Sequence, residues 1–375
     1  MIAGRRLHIV HTESSCGWGG QEIRILTEAE GMMARGHQVT LVCPPQARIH
    51  AAAEARGIPL AGLTIARKNL AGFHALRRWL ATHGQAVDIV NTHSSTDAWL
   101  TALACASLRG APPMVRTRHV SSPVKRNRPT LWLYQRATRH VVTTGEALRT
   151  QLARDNGFDP ASMTSVPTGI DLNRFVPGDR RAARARLGLP DRPAIGILGT
   201  LRNWKGHTFL FEAFASLQAS HPDWQLIVIG DGPQRRNLER LARELGLGAR
   251  LRMAGNRDDV PDWLQALDLM ALPSYGEEGV PQSVMQGMAC GLPVVSTPVG
   301  AIAEAVDDGE TGLLVPPRDA AALAAALALL MDDAPLRERF GRQGLARARE
   351  RFGIDIMLER MEAIFLRHAR PAGSV

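Results

Sequence analysis

The chain has 375 residues, 45 % of them hydrophobic and 22 % charged, with a formal net charge of +9. That length suits two domains, and that composition excludes general disorder. The positive balance favours anionic partners such as phosphates or an acidic membrane surface, whereas an aromatic content of 5 % argues against a base-stacking nucleic-acid platform, so no nucleic-acid partner is expected.

Cys16, Cys43, Cys105 and Cys290 lack CxxC spacing and read as thiols of a reducing compartment, not as a zinc site. The first apolar run, residues 7–10, is too short for a signal-peptide core. The longest fully apolar stretch, residues 320–331, follows Asp319, an N-cap, and falls short of the roughly 20 residues of a membrane span. The expectation is a cytoplasmic protein, with the inner face of the plasma membrane as a peripheral contact that the charge would suit.

In chain order, strands are predicted over residues 7–11, 39–43, 88–92, 114–117 and 140–143, with helical patterns between them, such as 21–35 closed by Gly36. The pattern then restarts with strands over 194–199, 225–229, 251–254, 267–272 and 293–296. Such alternation gives parallel sheets covered by helices on both faces. It implies an N-terminal Rossmann-like domain over 1–172, a C-terminal one over 173–355, and a helix and tail over 356–375. In that last helix Met357, Met361, Ile364 and Phe365 recur at helical spacing, which suits packing onto a domain face.

Ligands of open α/β sheets gather at the carboxyl ends of strands, so the loops there carry the candidates. Cys16-Gly-Trp-Gly-Gly-Gln-Glu22 joins the first strand to the first helix; Gly19 and Gly20 would let backbone approach a phosphate, although GxGxxG spacing is absent. His93 and His119 end two further strands. A histidine taken alone is more often a satisfied structural residue.

In the second half, Gly199-Thr-Leu-Arg-Asn-Trp-Lys-Gly-His207 lies between a strand and a helix and offers Arg202 and Lys205 as cations. Residues 274–296 read as strand, acidic loop, helix and strand, with Pro281 suited to the first helical turn and Gly291 to its C-terminal cap. Backbone amides near Gly279, Val280, Gln282 and Ser283 then form an anion site at the helix start. Of the two acidic residues beside it, Glu277 reads as a solvated loop carboxylate and Glu278 as a ligand for sugar hydroxyls.

This segment resembles the signature of family 4 retaining glycosyltransferases, in which two glutamates separated by seven residues precede a helix like Gly287-Met-Ala-Cys-Gly291. Glu278 stands at the first glutamate; Gln286 replaces the second, which in the family contacts the nucleotide ribose. Glutamine still hydrogen-bonds a hydroxyl but carries no charge. The resemblance continues through residues 199–207, 229–233, 255–260, 299–304 and 309–315, and Thr168-Gly-Ile-Asp171 resembles the family's linker. It implies the GT-B fold: two Rossmann-like, doubly wound domains with an interdomain cleft. It implies transfer from a nucleotide-sugar donor, with no metal and no cofactor, to a glycan or lipid-linked acceptor in envelope polysaccharide or lipopolysaccharide synthesis.

By the same resemblance Arg202 and Lys205 clamp the diphosphate, Glu278 and His119 face the donor sugar, Gly19 and Gly20 lie near donor phosphate and Arg257 lies near the base; His93, from its strand-end position alone, is read as facing the acceptor. Alternatives are a non-catalytic sugar-nucleotide or glycan-binding relative, suggested by Gln286, and a GT-B epimerase or phosphorylase. Two basic stretches add a membrane expectation. Arg116, Arg118, Lys125, Arg126, Arg128, Arg136 and Arg139 surround Trp132 and Tyr134, and Arg67, Lys68, Arg77 and Arg78 flank Phe73, Leu76, Trp79 and Leu80.

Overall fold

The structure is a computed structural model, and it describes residues 4–119, 123–276 and 278–371. The chain folds as two units, Met1–Gly169 with Asp355–Val375, and Ile170–Ile354. The final segment, expected as a piece of its own, thus belongs with the N-terminal half.

The first unit holds β1 His8–Thr12, β2 Gln38–Cys43, β3 Leu60–Gly62, β4 Ile89–Thr92, β5 Met114–Arg118, β6 His140–Thr143 and β7 Met163–Ser165. All pair in parallel, in the order β3-β2-β1-β4-β5-β6-β7. The second holds β8 Ala194–Leu198, β9 Gln225–Ile229, β10 Leu251–Gly255, β11 Leu269–Leu272, β12 Val294–Ser296 and β13 Gly312–Leu314, again parallel, in the order β10-β9-β8-β11-β12-β13. Central strands such as β4, β9 and β11 are buried along their whole length, as parallel strands covered on both faces must be.

In each sheet the chain builds one side, returns, and builds the other. The order therefore reverses between β1 and β4 in the first unit and between β8 and β11 in the second. Loops leaving the carboxyl ends of those neighbours splay apart and leave a crevice, the usual ligand position in such sheets.

The helix Ile354–His368 closes one face of the first unit through Met357, Leu358, Met361, Ile364 and Phe365. It is met by the helix Gly20–Ala34 at Gly31, where an added Cβ would lie 2.3 Å from Leu358 Cδ1. Glycine in mid-helix costs about 1 kcal/mol against alanine, and the close approach of Leu358 explains it. Glu362 fastens the same face to Arg35 at 2.6 Å and to His37 at 3.0 Å. Among the described residues no helix is long and apolar enough to cross a membrane.

Candidate active site

The second unit brings Lys205 and Glu278 together at its strand-order reversal. Lys205 lies on the loop after β8 and Glu278 on the loop after β11, with Nζ 2.8 Å from Oε1 and 3.0 Å from Oε2. Both side chains are mostly buried, at 19 % and 12 % exposed, so solvent screens the pair less than a surface one. Ser274 Oγ donates to Glu278 Oε1 at 2.9 Å, and Thr297 Oγ1 holds the Ser274 carbonyl in turn.

The backbone of these loops is packed without slack. Gly206 takes φ +77, and a Cβ there would lie 1.9 Å from the Pro273 carbonyl oxygen. The loop after β12 adds the Ala301 amide, which donates to the Glu278 carbonyl at 2.9 Å. Tyr275 N donates to the Trp204 carbonyl at 2.8 Å, tying the β8 and β11 loops a second time. Three loops therefore position one carboxylate and one ammonium.

Arg202 is on the same turn as Lys205, but its guanidinium rests over the Trp204 ring, 5.3 Å from the centroid, and not on Glu278. With Asn203, His207, Gln234 and Arg240 it lines a recess of about 190 Å³. The helix Gln282–Ala289 starts beside Glu278. Pro281 is its extended N-cap, one position earlier than expected, and Gly279, Val280, Gln282 and Ser283 flank that start. Val284, Met285 and Met288 point into the core, which leaves Gln282, Ser283 and Gln286 partly exposed on the other side of the helix. Gly291 takes φ +76 just past the C-cap residue, Cys290.

Arg257 is engaged elsewhere: it pairs with Asp259 at 2.7 and 2.8 Å and lies over Trp263. Glu277 lies outside the described residues.

The first unit carries a buried polar cluster at its own reversal point. Nδ1 of His11 is 2.9 Å from Nε2 of His93, whose Nδ1 is 2.9 Å from Nε2 of His119. Beside them Asp97 accepts from Thr12 Oγ1 at 2.8 Å and from the amides of His93 and Ser94 at 2.9 Å each. It also forms a capping box with Ser94 at the start of the helix Ser95–Ala106. Glu13 accepts from the Ser15 amide at 2.6 Å, from Ser94 Oγ at 2.5 Å and from Gln21, so it anchors the glycine loop at both ends. Burial, then the Asp97 charge, pushes the Glu13 carboxyl up to about 7; burial pushes Asp97 up to about 6. Below this row Arg24 pairs with Glu28 at 3.6 Å, Glu28 accepts from Asn91 at 3.2 Å, and Asn91 accepts from Thr117 at 2.9 Å.

Gly19 is the N-cap of the helix Gly20–Ala34, in extended conformation with φ −177 and no side chain to cap it. His119 directly follows β5 and is partly exposed. The expectation that His93 meets an acceptor is corrected: the residue is 3 % exposed and both ring nitrogens face other histidines.

The basic stretch that begins within β5 is corrected in part. Arg116 is buried over the Tyr134 ring at 4.6 Å, and Arg118 donates to the Tyr134 hydroxyl at 3.0 Å. Tyr134, Leu76 and Leu80 are core residues. His11, Glu13, Asp97, Ser274 and Trp204 were not singled out in the sequence. Only the strand-end positions of His11 and Glu13 signalled them.

Two doubly wound sheets, with a cation–carboxylate pair at the crevice of the second, define a sugar-transferring enzyme of the two-Rossmann class once the relatives are set beside them. Residues 18–174 match the family described as glycosyltransferase family 4, and residues 179–347 match glycosyl transferases group 1. The chain is 31 % identical over 260 residues to a lipopolysaccharide core biosynthesis mannosyltransferase of Rhizobium meliloti (strain 1021), covering 67 % of this chain and 72 % of that protein. It is 32 % identical over 295 residues to D-inositol 3-phosphate glycosyltransferase 2 of Catenulispora acidiphila, covering 71 % and 67 %. The crystal structure of Anabaena Alr3699/HepE in complex with UDP and glucose superposes with a TM-score of 0.85 at 22 % identity, over 96 % of this chain and 100 % of that one, and so shares the GT-B fold. The chain belongs to the family 4 glycosyltransferases.

Proposed function

We propose that this glycosyltransferase moves a hexose from a nucleoside-diphosphate sugar to a glycan or lipid-linked acceptor of envelope polysaccharide or lipopolysaccharide, with retained configuration. The observation that carries the reading is the Lys205–Glu278 pair, held by three loops at the reversal point of the second sheet. Lys205, Arg202 and the helix start around Gly279, Val280, Pro281, Gln282 and Ser283 hold the diphosphate, where fixed positive groups stabilise charge as the glycosidic bond breaks. Glu278 orients the sugar, and Gln286 bonds a ribose hydroxyl. The departing phosphate oxygen takes the acceptor's proton while the acceptor oxygen bonds the anomeric carbon on that same face. Gly19, Gly20 and His119 complete the sugar and phosphate contacts. The cations take the part a metal would play, so none is needed.

A thermal-shift screen across UDP-, GDP- and ADP-sugars tests the donor. The right one raises the melting temperature by mass action, about 2.7 kcal/mol of added stability at a hundredfold excess over its Kd. Transfer to mixed acceptors then follows. Silence across all donors in both assays sinks the reading.

A membrane-borne acceptor would need a docking face. The helices Leu70–His83, Ser95–Ala106 and Arg128–Trp132 support one, because Leu70, Leu103 and Leu131 are exposed large apolar residues on them, with Lys68, Lys125, Arg126 and Arg128 nearby in the chain. The Trp99–Trp132 ring contact at 6.2 Å and the Lys68–Ser95 bond at 3.0 Å join these elements. Vesicles rich in phosphatidylglycerol should sediment the protein and phosphatidylcholine vesicles should not. Leu70→Ser with Leu131→Ser should weaken that binding several-fold, and undiminished binding would place the contact elsewhere.

A further inference from the structure

His11, His93 and His119 come from the carboxyl ends of three neighbouring strands, β1, β4 and β5, and their successive ring centroids are 5.2 Å apart. Burial keeps the rings neutral. It is the main cause that lowers His11 to about 3, with Arg24 second, and it holds His93 and His119 well below the usual 6.5.

A neutral imidazole has one N–H and one bare nitrogen, and each N···N contact of 2.9 Å needs one of each. His93 spends both nitrogens in the chain, so its tautomer sets those of both neighbours. Only two proton arrangements keep both bonds: every Nδ1 protonated, or every Nε2 protonated. The buried end decides between them. His11 Nε2 is buried, next to the Phe365 ring, and has no hydrogen-bond partner among the described residues. Among buried backbone groups, N–H donors without a partner are rarer than under-satisfied acceptors, and the same asymmetry favours a bare Nε2 here. Every Nδ1 then carries the proton, including that of His119 at the partly exposed end.

We propose that His11 and His93 are positioning residues that hold His119 as a hydrogen-bond donor through Nδ1, aimed at an oxygen of the sugar substrate. The last clause rests on the sugar contact assigned to His119 above; the order of the protons does not.

The test uses the full chain labelled with ¹⁵N-histidine. Long-range ¹⁵N–¹H correlations report each tautomer, and the His119 signals are those missing in His119→Gln. The expected result is a single Nδ1–H form for His119. His11→Phe does not touch His119, yet it should turn that form into a mixture and lower kcat about tenfold with donor KM unchanged, the effect of one misdirected hydrogen bond. His11→Asn, whose amide can donate to His93 Nε2, should restore both readings. Should His11→Phe fail to fold, His93→Leu breaks the chain at its middle and carries the same expectation.

An Nε2–H form in the wild type, or a His119 tautomer indifferent to these changes, overturns the proposal. A shifted tautomer with unchanged kcat also overturns it, and removes His119 from the sugar while leaving sugar transfer intact. A wild-type chain that transfers nothing counts against the proposed function, and the tautomer readout still decides the histidine chain.

Discussion

Gly19 is a glycine for which the fold shows no need. Its φ of −177 is open to any residue, and an added Cβ would come no closer than 3.7 Å to Glu22. Gly206 is the opposite case, with φ +77 and a carbonyl oxygen 1.9 Å from the would-be Cβ. Gly19→Ala should therefore cost no more than about 1 kcal/mol of unfolding free energy in urea, the difference between glycine and alanine at an N-cap, while kcat/KM falls at least about tenfold because a methyl group blocks the close approach of a phosphate. Gly206→Ala should lose stability and turnover together, since the β8 loop must shift and Lys205 leaves Glu278. If Gly19→Ala keeps full turnover, the phosphate contact is wrong. Lys205→Ala removes a charge-assisted partner of the diphosphate and should cost about 1.5–3 kcal/mol of transition-state stabilisation, roughly 10- to 150-fold in kcat/KM. Steady-state kinetics with a donor chosen by thermal shift measure all three.

At the scale of elements, the helix Gly20–Ala34 and the helix Ile354–His368 meet at Gly31 and Leu358. Gly31→Ala overpacks that contact and should cost about 1–3 kcal/mol. Leu358→Ala leaves a cavity and costs about 2–5 kcal/mol alone, but it makes room for the new methyl group. The double variant should thus be more stable than the two costs added, by about 1 kcal/mol or more in a double-mutant cycle. Simple additivity would mean that Leu358 already moves aside.

Elements of this kind were legible where the pattern was long. Each of the ten anticipated strands is present, most of them because central parallel strands write uninterrupted apolar runs such as residues 226–229. The strands not anticipated, Leu60–Gly62, Met163–Ser165 and Gly312–Leu314, are three-residue edge strands, partly exposed and too short to carry a period. Motif order assigned Lys205 and Glu278 to one crevice, but the ion pair between them was not anticipated. The roles of Ser274 and Trp204 were not, since each depends on a loop that meets it only in space. Glu13 and Asp97 escaped because acidic residues next to turns read as solvated, whereas here donors from several segments allow both to be buried.

Across the whole molecule, buried titratable groups pull stability in opposite directions with pH. In the unfolded chain histidines take up protons below about 6.5. In the folded chain His11 stays neutral down to about 3, His140 and His207 to about 4, and His93 and His119 are also held low, with burial the main cause in each case. Below pH 6.5 or so the unfolded state therefore binds more protons at these five groups, and their contribution, complete above that pH, is lost on acidification. Glu13, raised from 4.5 to about 7, Asp97, raised from 3.8 to about 6, and Glu28, raised from 4.5 to about 6, act the other way: between their unfolded and folded values the native state binds more protons, so acid favours it. Five histidines against three carboxyls leave a net loss, and the urea midpoint should fall from about pH 7 to about pH 5. Glu13→Gln deletes one of the opposing groups while keeping an acceptor for Ser15 and Ser94, so the fall over that range should steepen. A midpoint that rises toward pH 5 in the wild type would mean that the carboxyls outweigh the histidines, and a Glu13→Gln profile flatter than wild type would mean that the Glu13 carboxyl is not raised in the native state.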